Sequence, residues 1–159
     1  MSVTLREAVP ADAGAISGML GALAAYLGEE DVTGTSPKAI LHHGFGATPL
    51  FRVIIAEERE PVGMVLFFSH FSTWRGAPGV YVQDLFVAEG QRGTGLGRHL
   101  LGEAARLARE EWGAEYMGLS VARANTGARG FYARLGFDAL DDELSLRLFD
   151  RAFAGLAEG

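Results

Sequence analysis

The sequence predicts a mixed α/β domain, α/β in the broad sense and α+β in detail, with helices packed on a sheet. Strand-like and helix-like periodicities alternate along all 159 residues. A glycine-rich turn joins the end of a strand to a long amphipathic helix. No internal repeat, low-complexity tract or Pro/Ser-rich linker divides the chain, so residues 1–159 are read as a single domain of ordinary size.

Residues 3–8 alternate as a short first strand. Pro10, Ala11 and Asp12 open a helix in which Ile16, Met19, Leu20, Leu23 and Leu27 recur at helical spacing. Ser36 before Pro37 is a capping side chain ahead of a proline suited to a first helical position, so a short helix through Ala39, Ile40 and Leu41 is expected, ending at Gly44-Phe45-Gly46. Residues 51–57 and 62–71 are rich in β-branched, aromatic and aliphatic side chains. Glu58-Arg59-Glu60-Pro61 separates them, which reads as a hairpin. After the turn at Gly76-Ala77-Pro78-Gly79, residues 80–87 form a further strand. A helix follows over 95–112 with Leu96, Leu100, Ala104, Leu107 and Ala108 as its apolar stripe. Residues 116–121 return as a strand, 126–135 form a second amphipathic helix, and 144–149 read as a last strand, with a helical or frayed tail from Asp150.

Composition narrows the function. There is no cysteine, which excludes disulfides, thiolate metal sites and cysteine nucleophiles and suits a reducing compartment. The first residues lack the basic and apolar regions of a signal peptide, and no apolar run approaches ~18 residues. A cytoplasmic protein without a membrane partner is therefore expected. A net charge of -6 argues against nucleic acid, whose phosphates reward basic surfaces. It suits a small cationic partner, and equally a surface that is merely soluble. His42-His43 lacks a third ligand, H-E-x-x-H is absent, His70 reads as a strand-end residue and His99 as solvated, so no metal is expected. No G-x-S-x-G elbow marks a serine hydrolase.

The informative stretch is Gln91-Arg92-Gly93-Thr94-Gly95-Leu96-Gly97. Glycines let backbone N–H groups approach a ligand, and the helix start adds unsatisfied donors and a positive dipole end, so the junction suits a diphosphate. A dinucleotide fingerprint requires glycine at the sixth position from Gly93, where Arg98 stands, and no Lys-Ser or Lys-Thr pair completes a nucleotide P-loop.

What remains, R-G-x-G-x-G between strand and helix, resembles the pyrophosphate-binding motif of the GNAT superfamily of N-acetyltransferases. Tyr81-Val82-Gln83-Asp84-Leu85-Phe86-Val87 looks like the strand that precedes that motif, and Asn125 to Phe131-Tyr132, followed by Leu135-Gly136-Phe137, looks like the segment that follows it. Gly44-Phe45-Gly46, Pro49, Ile55-Ala56-Glu57 and Trp74 are similar to the spermidine/spermine (diamine) and thialysine acetyltransferase branch. The resemblance implies a mostly antiparallel central sheet flanked by helices, acetyl-CoA as cosubstrate and a small-molecule amine as acceptor. It also implies a homodimer paired through C-terminal strands.

Carried onto this chain, the resemblance has the backbone of Leu85, Phe86 and Val87 pairing with the pantetheine arm. Arg92, Gly93, Thr94, Gly95, Leu96 and Gly97 hold the pyrophosphate, and Asn125 holds pantetheine. Tyr132 is the implied general acid, since a phenol with pKa near ~10 is protonated at neutral pH. Tyr26, Glu29, Trp74, Gln83 and Asp84 are candidates for the amine side, with Glu30 and Asp31 beside Glu29. Two departures bear on the acceptor. Related polyamine enzymes have Glu where this chain has Gln83, which accepts no proton. Arg123 and Ala124 replace an acid and a tryptophan, which opens the acceptor to amino-acid-like amines. Asp84 remains as a carboxylate, expected on the opposite face from Gln83 by strand alternation. Alternatives of other kinds are a non-catalytic CoA-binding module and a protein N-acetyltransferase.

Overall fold

The computed structural model describes residues 2–29 and 35–159; Glu30 and Asp31 lie outside the described residues. The chain divides into two compact units, one up to Ser120 and one from Val121.

The first unit is built on a five-stranded sheet in the order β1-β2-β3-β4-β5. Its strands are β1 (Thr4–Glu7), β2 (Arg52–Glu57), β3 (Pro61–Ser72), β4 (Ala77–Val87) and β5 (Met117–Leu119). The first four pair antiparallel, β2–β3 and β3–β4 through short turns and β1–β2 across residues 8–51, which carry the first two helices. β5 runs parallel to β4, so the chain must cross over between them, and helix α3 (Leu96–Trp112) makes that crossing.

α3 buries Leu96, Leu100, Leu101, Ala104, Leu107 and Ala108, which contains the whole predicted stripe. On the other face lie α1 (Ala13–Tyr26) and α2 (Pro37–Gly44). There Ile16, Met19 and Ile40 pack on Val53, Ile55, Met64, Leu66 and Phe86. Burying this continuous apolar layer on both sides explains why residues 53–56 of β2 read as an unbroken apolar run rather than an alternation. Ser36 caps α2 as its position predicts, its side chain accepting from the Ala39 N–H at 3.1 Å. The start of α1 is tied down by Asp12, which accepts two bonds from Arg6, at 2.8 and 3.0 Å, and one from the Val9 N–H at 2.8 Å. Arg6 also donates to Glu57 at 2.9 Å, so one guanidinium joins β1, the helix start and the end of β2.

The Gly44-Phe45-Gly46 segment has a packing reason. A Cβ on Gly44 would stand 2.5 Å from the Phe51 ring. Gly44→Ala is therefore expected to destabilise by about 1–3 kcal/mol through overpacking. A chain of this size should lose roughly 2–12 °C in Tm; an unchanged melting temperature would show that Phe51 yields freely.

The second unit contains α4 (Thr126–Arg134) and α5 (Asp150–Ala157), the latter taking the tail as a helix. The predicted last strand over 144–149 is corrected here. These residues join no ladder, and the sheet has five strands. Leu144 and Leu146 are 88% and 87% exposed. The alternation of leucine with Ser145 and Arg147 specifies a strand only where a partner strand pairs with it, and residues 144–149 pair with none among the described residues. No helix among the described residues is long and apolar enough to cross a membrane.

Candidate active site

β4 and the turn after it carry most of the predicted residues. The register slips between Leu66/Phe67 on β3 and Asp84/Val82 on β4, leaving Gln83 as an extra, unopposed residue. This bulge falls where pairing with β5 ends, because β5 matches only Val80, Tyr81 and Val82. From Gln83 to Val87 the β4 edge away from β3 therefore has no strand partner among the described residues, while Leu85, Phe86 and Val87 keep their register with Val65, Met64 and Gly63. The bulge was not legible in the sequence: Gln83 sits in an uninterrupted β pattern with no glycine or proline to flag it.

The open edge leads into the turn. Gly93 and Gly95 both have positive φ, +77° and +88°, which L side chains rarely adopt. The backbone N–H groups of Gly93, Thr94 and Gly95 donate to no acceptor among the described residues, and Leu96, Gly97 and Arg98 form the first turn of α3, where intrahelical partners are lacking. Thr94 steadies the loop by donating its hydroxyl to the Gln91 carbonyl at 2.6 Å. Arg92 donates through Nε to the Val87 carbonyl at 3.1 Å. These donors, with the helix N-terminus behind them, fit a diphosphate.

Asp84 is half-buried. Its register partner is Leu66, which packs with α1 and α2, so its carboxyl lies on that face. It has no ion-pair or hydrogen-bond partner among the described residues, and desolvation alone pushes its pKa above the carboxylate norm. Gln83 is exposed at the bulge.

Tyr26 ends α1 and lies over Arg92, with Cζ 4.2 Å from the ring centroid; Glu29 follows it, exposed. Trp74 is fully exposed in the β3–β4 connection. Gln83 lies six residues beyond the start of β4, roughly 20 Å of strand away, so within one chain Trp74 is not brought to the open edge.

In the second unit, Asn125 is the N-cap of α4, its Oδ1 accepting from the Ala128 N–H at 3.2 Å. The amide NH₂ makes no bond among the described residues, so capping leaves the group able to donate to a ligand. Tyr132 stands half-buried between the rings of Phe131 and Phe137, at 5.1 and 5.4 Å, and burial raises its phenol pKa above 10.0. Arg123 faces Asp141 at 3.5 Å; both are exposed, so the pair contributes little to stability.

A separate hollow of about 300 Å³ at the opposite edge of the sheet is lined by Phe45, Pro49 and Phe51 together with Glu7 and Arg52, which pair with each other. The resemblance at Pro49 and the Gly-Phe-Gly segment thus reaches a packing feature remote from the turn.

A diphosphate-suited turn at the end of a bulged strand is what the resemblance to acyl-CoA-using transferases implies, and comparison with known proteins shows that family. The acetyltransferase (GNAT) family profile matches residues 22–137. The chain belongs to this family and is an N-acetyltransferase; the family uses acetyl-CoA as cosubstrate. Among its relatives, thialysine N-epsilon-acetyltransferase of Bos taurus is 32% identical over 88% of this chain and 86% of its own length. The Sus scrofa protein of the same name is 33% identical over 85% of this chain and 84% of its own length. Among solved structures, an integron cassette protein of V. cholerae shares the fold with a TM-score of 0.82 at 22% identity, covering 100% of this chain and 99% of that one.

Proposed function

We propose that this enzyme moves the acetyl group of acetyl-CoA onto the nitrogen of a small amine, with lysine-like amino acids ahead of polyamines, without a metal, and with the whole chain acting as one domain. The observation that carries the reading is the unpaired β4 edge from Gln83 to Val87 running directly into the donor-lined turn. That edge suits a pantetheine arm paired as an added strand, and the turn suits the diphosphate that follows it. The relatives' names support an amine on an amino-acid side chain. So does the neutral Gln83, which gives a polyamine no counter-charge. The family match runs past Ser120 into the second unit, which supports one domain.

Acetyl-CoA supplies an acetyl thioester; the amine nitrogen bonds to its carbonyl carbon, and the carbon–sulfur bond breaks. Asp84, rather than Gln83, takes the proton that the nitrogen gives up. The family resemblance, not a placement relative to the strand, assigns Tyr132 as the proton donor to the departing sulfur and Asn125 as the holder of pantetheine through its free amide. Backbone N–H groups of the bulged strand stabilise the carbonyl oxygen as it gains charge. The proton on Asp84 returns through solvent to Tyr132, so the products are the N-acetyl amine and CoA thiol.

A thiol-release screen with acetyl-CoA across lysine analogues, diamines, polyamines and peptides tests this. Turnover with lysine-like amines is expected. Saturable CoA binding without release for any amine would overturn the reading, and preference for peptides would replace it with protein acetylation.

Gly95→Val should weaken CoA binding at least tenfold in a folded protein. Valine is strained at φ +88°, although space around the site is open, with only His99 at 4.0 Å, so the loss lies in loop geometry rather than a clash. Wild-type affinity measured by calorimetry would remove the turn as the diphosphate site.

The reading extends to a cytoplasmic homodimer. Residues 144–149 present leucines to solvent without a ladder partner, and a second copy is the surface that would pair them. Light scattering at micromolar concentration should show twice 17.0 kDa; a 17.0 kDa species alone would remove the dimer.

A further inference from the structure

The guanidinium of Arg92 is held on two sides within the first unit. Nε donates to the Val87 carbonyl, and Cζ lies over the Tyr26 ring, 4.2 Å from its centroid. Neither Nη group has an acceptor among the described residues, and their four N–H donors form a fork suited to an anion. An arginine fork matches two oxygens of a phosphate at once. Arg92 is exposed and its side chain long, so without a lateral support it would sample many rotamers and lose that freedom on binding. Tyr26 supplies such a support. It is itself more than half exposed, at 63%, which is poor placement for a core aromatic. It reaches the turn from the far end of α1, 66 residues before Arg92 in the sequence.

We infer that Tyr26 is a positioning residue for the cofactor: its ring holds the Arg92 fork facing the turn in the orientation that receives the CoA diphosphate. Tyr26 thus serves the cosubstrate rather than the amine. This rests on the reading of the turn as the diphosphate site, and the experiment separates the two.

CoA affinity is measured by calorimetry for wild type, Tyr26→Phe, Tyr26→Leu, Arg92→Ala and the double variant Tyr26→Leu/Arg92→Ala. Tyr26→Leu should weaken binding about two- to fivefold, the size of an exposed cation–π contact. Tyr26→Phe, which keeps the ring, should bind as wild type. In the Arg92→Ala background Tyr26→Leu should cost nothing further, because the group it positions is gone. The KM for S-acetylpantetheine, which lacks the diphosphate, should be the same in wild type and Tyr26→Leu, whereas a merely structural role would move both. Wild-type affinity in Tyr26→Leu, an equal loss in both backgrounds, or a raised KM for S-acetylpantetheine would each overturn the inference. Failure of the wild type to bind CoA, or undiminished binding by Gly95→Val, would instead remove the turn reading and the inference with it.

Discussion

Tyr132→Phe should lower turnover about 10²–10³-fold across pH 6–9 while leaving the KM for acetyl-CoA within about twofold. The phenol sits between Phe131 and Phe137, and loss of its hydroxyl keeps the ring packing, so the effect isolates the proton. Burial raises the pKa above 10.0, which keeps the donor protonated throughout that range. Any alkaline fall in the wild-type rate that begins below pH 10 therefore belongs to another group. Wild-type turnover in the variant would end the general-acid assignment.

Asp84→Asn should have two opposite effects, a 10²–10⁴-fold loss of turnover and a gain in thermal stability at pH 7. Desolvation disfavours the ionised carboxyl, so the folded-state pKa lies above the ordinary 3.8. Below 3.8 the group is protonated in folded and unfolded chains alike and carries no penalty. As pH rises through the folded-state pKa, the penalty appears and stability is lost. The gain from asparagine should therefore be present at neutral pH and vanish below about pH 3.8, which melting curves from pH 3 to 8 would follow. Retained turnover would show that Asp84 does not take the proton. A fall in Tm at pH 7 would show that its carboxylate is partnered in solution.

How far such residues can be found without coordinates depends on whether the signal is local. The glycine turn was legible because its backbone geometry leaves a mark in residue type, and both Gly93 and Gly95 take the positive φ that the pattern implies. The α3 stripe and the Ser36 cap were legible for the same reason, each being settled within a few residues. The Gln83 bulge was not, because it depends on a mismatch with β3 that no side chain on β4 announces. Alternation alone put Asp84 on the opposite face from Gln83, without showing that the carboxyl is half-buried and unpaired. Tyr26 and Arg92 were both singled out, but their contact joins α1 to the turn across the tertiary fold and no spacing rule connects them. The missing strand over 144–149 is the reverse case: the periodicity is present, but no strand among the described residues pairs with it.

The parallel join between β4 and β5 also bears on how the chain acquires its shape. Strand β1 reaches β2 only across residues 8–51, whereas strands β2 to β4 are joined by short turns from which the β2–β3 and β3–β4 hairpins zip. By contrast, β5 touches β4 through three residue pairs after the whole of α3 has intervened. Closing a connection of that length makes such a pairing slow, as it does for β1 and β2. The β4–β5 ladder is thus expected to be a late event in folding, and the unpaired stretch beyond Val82 marks where that late zipper stops.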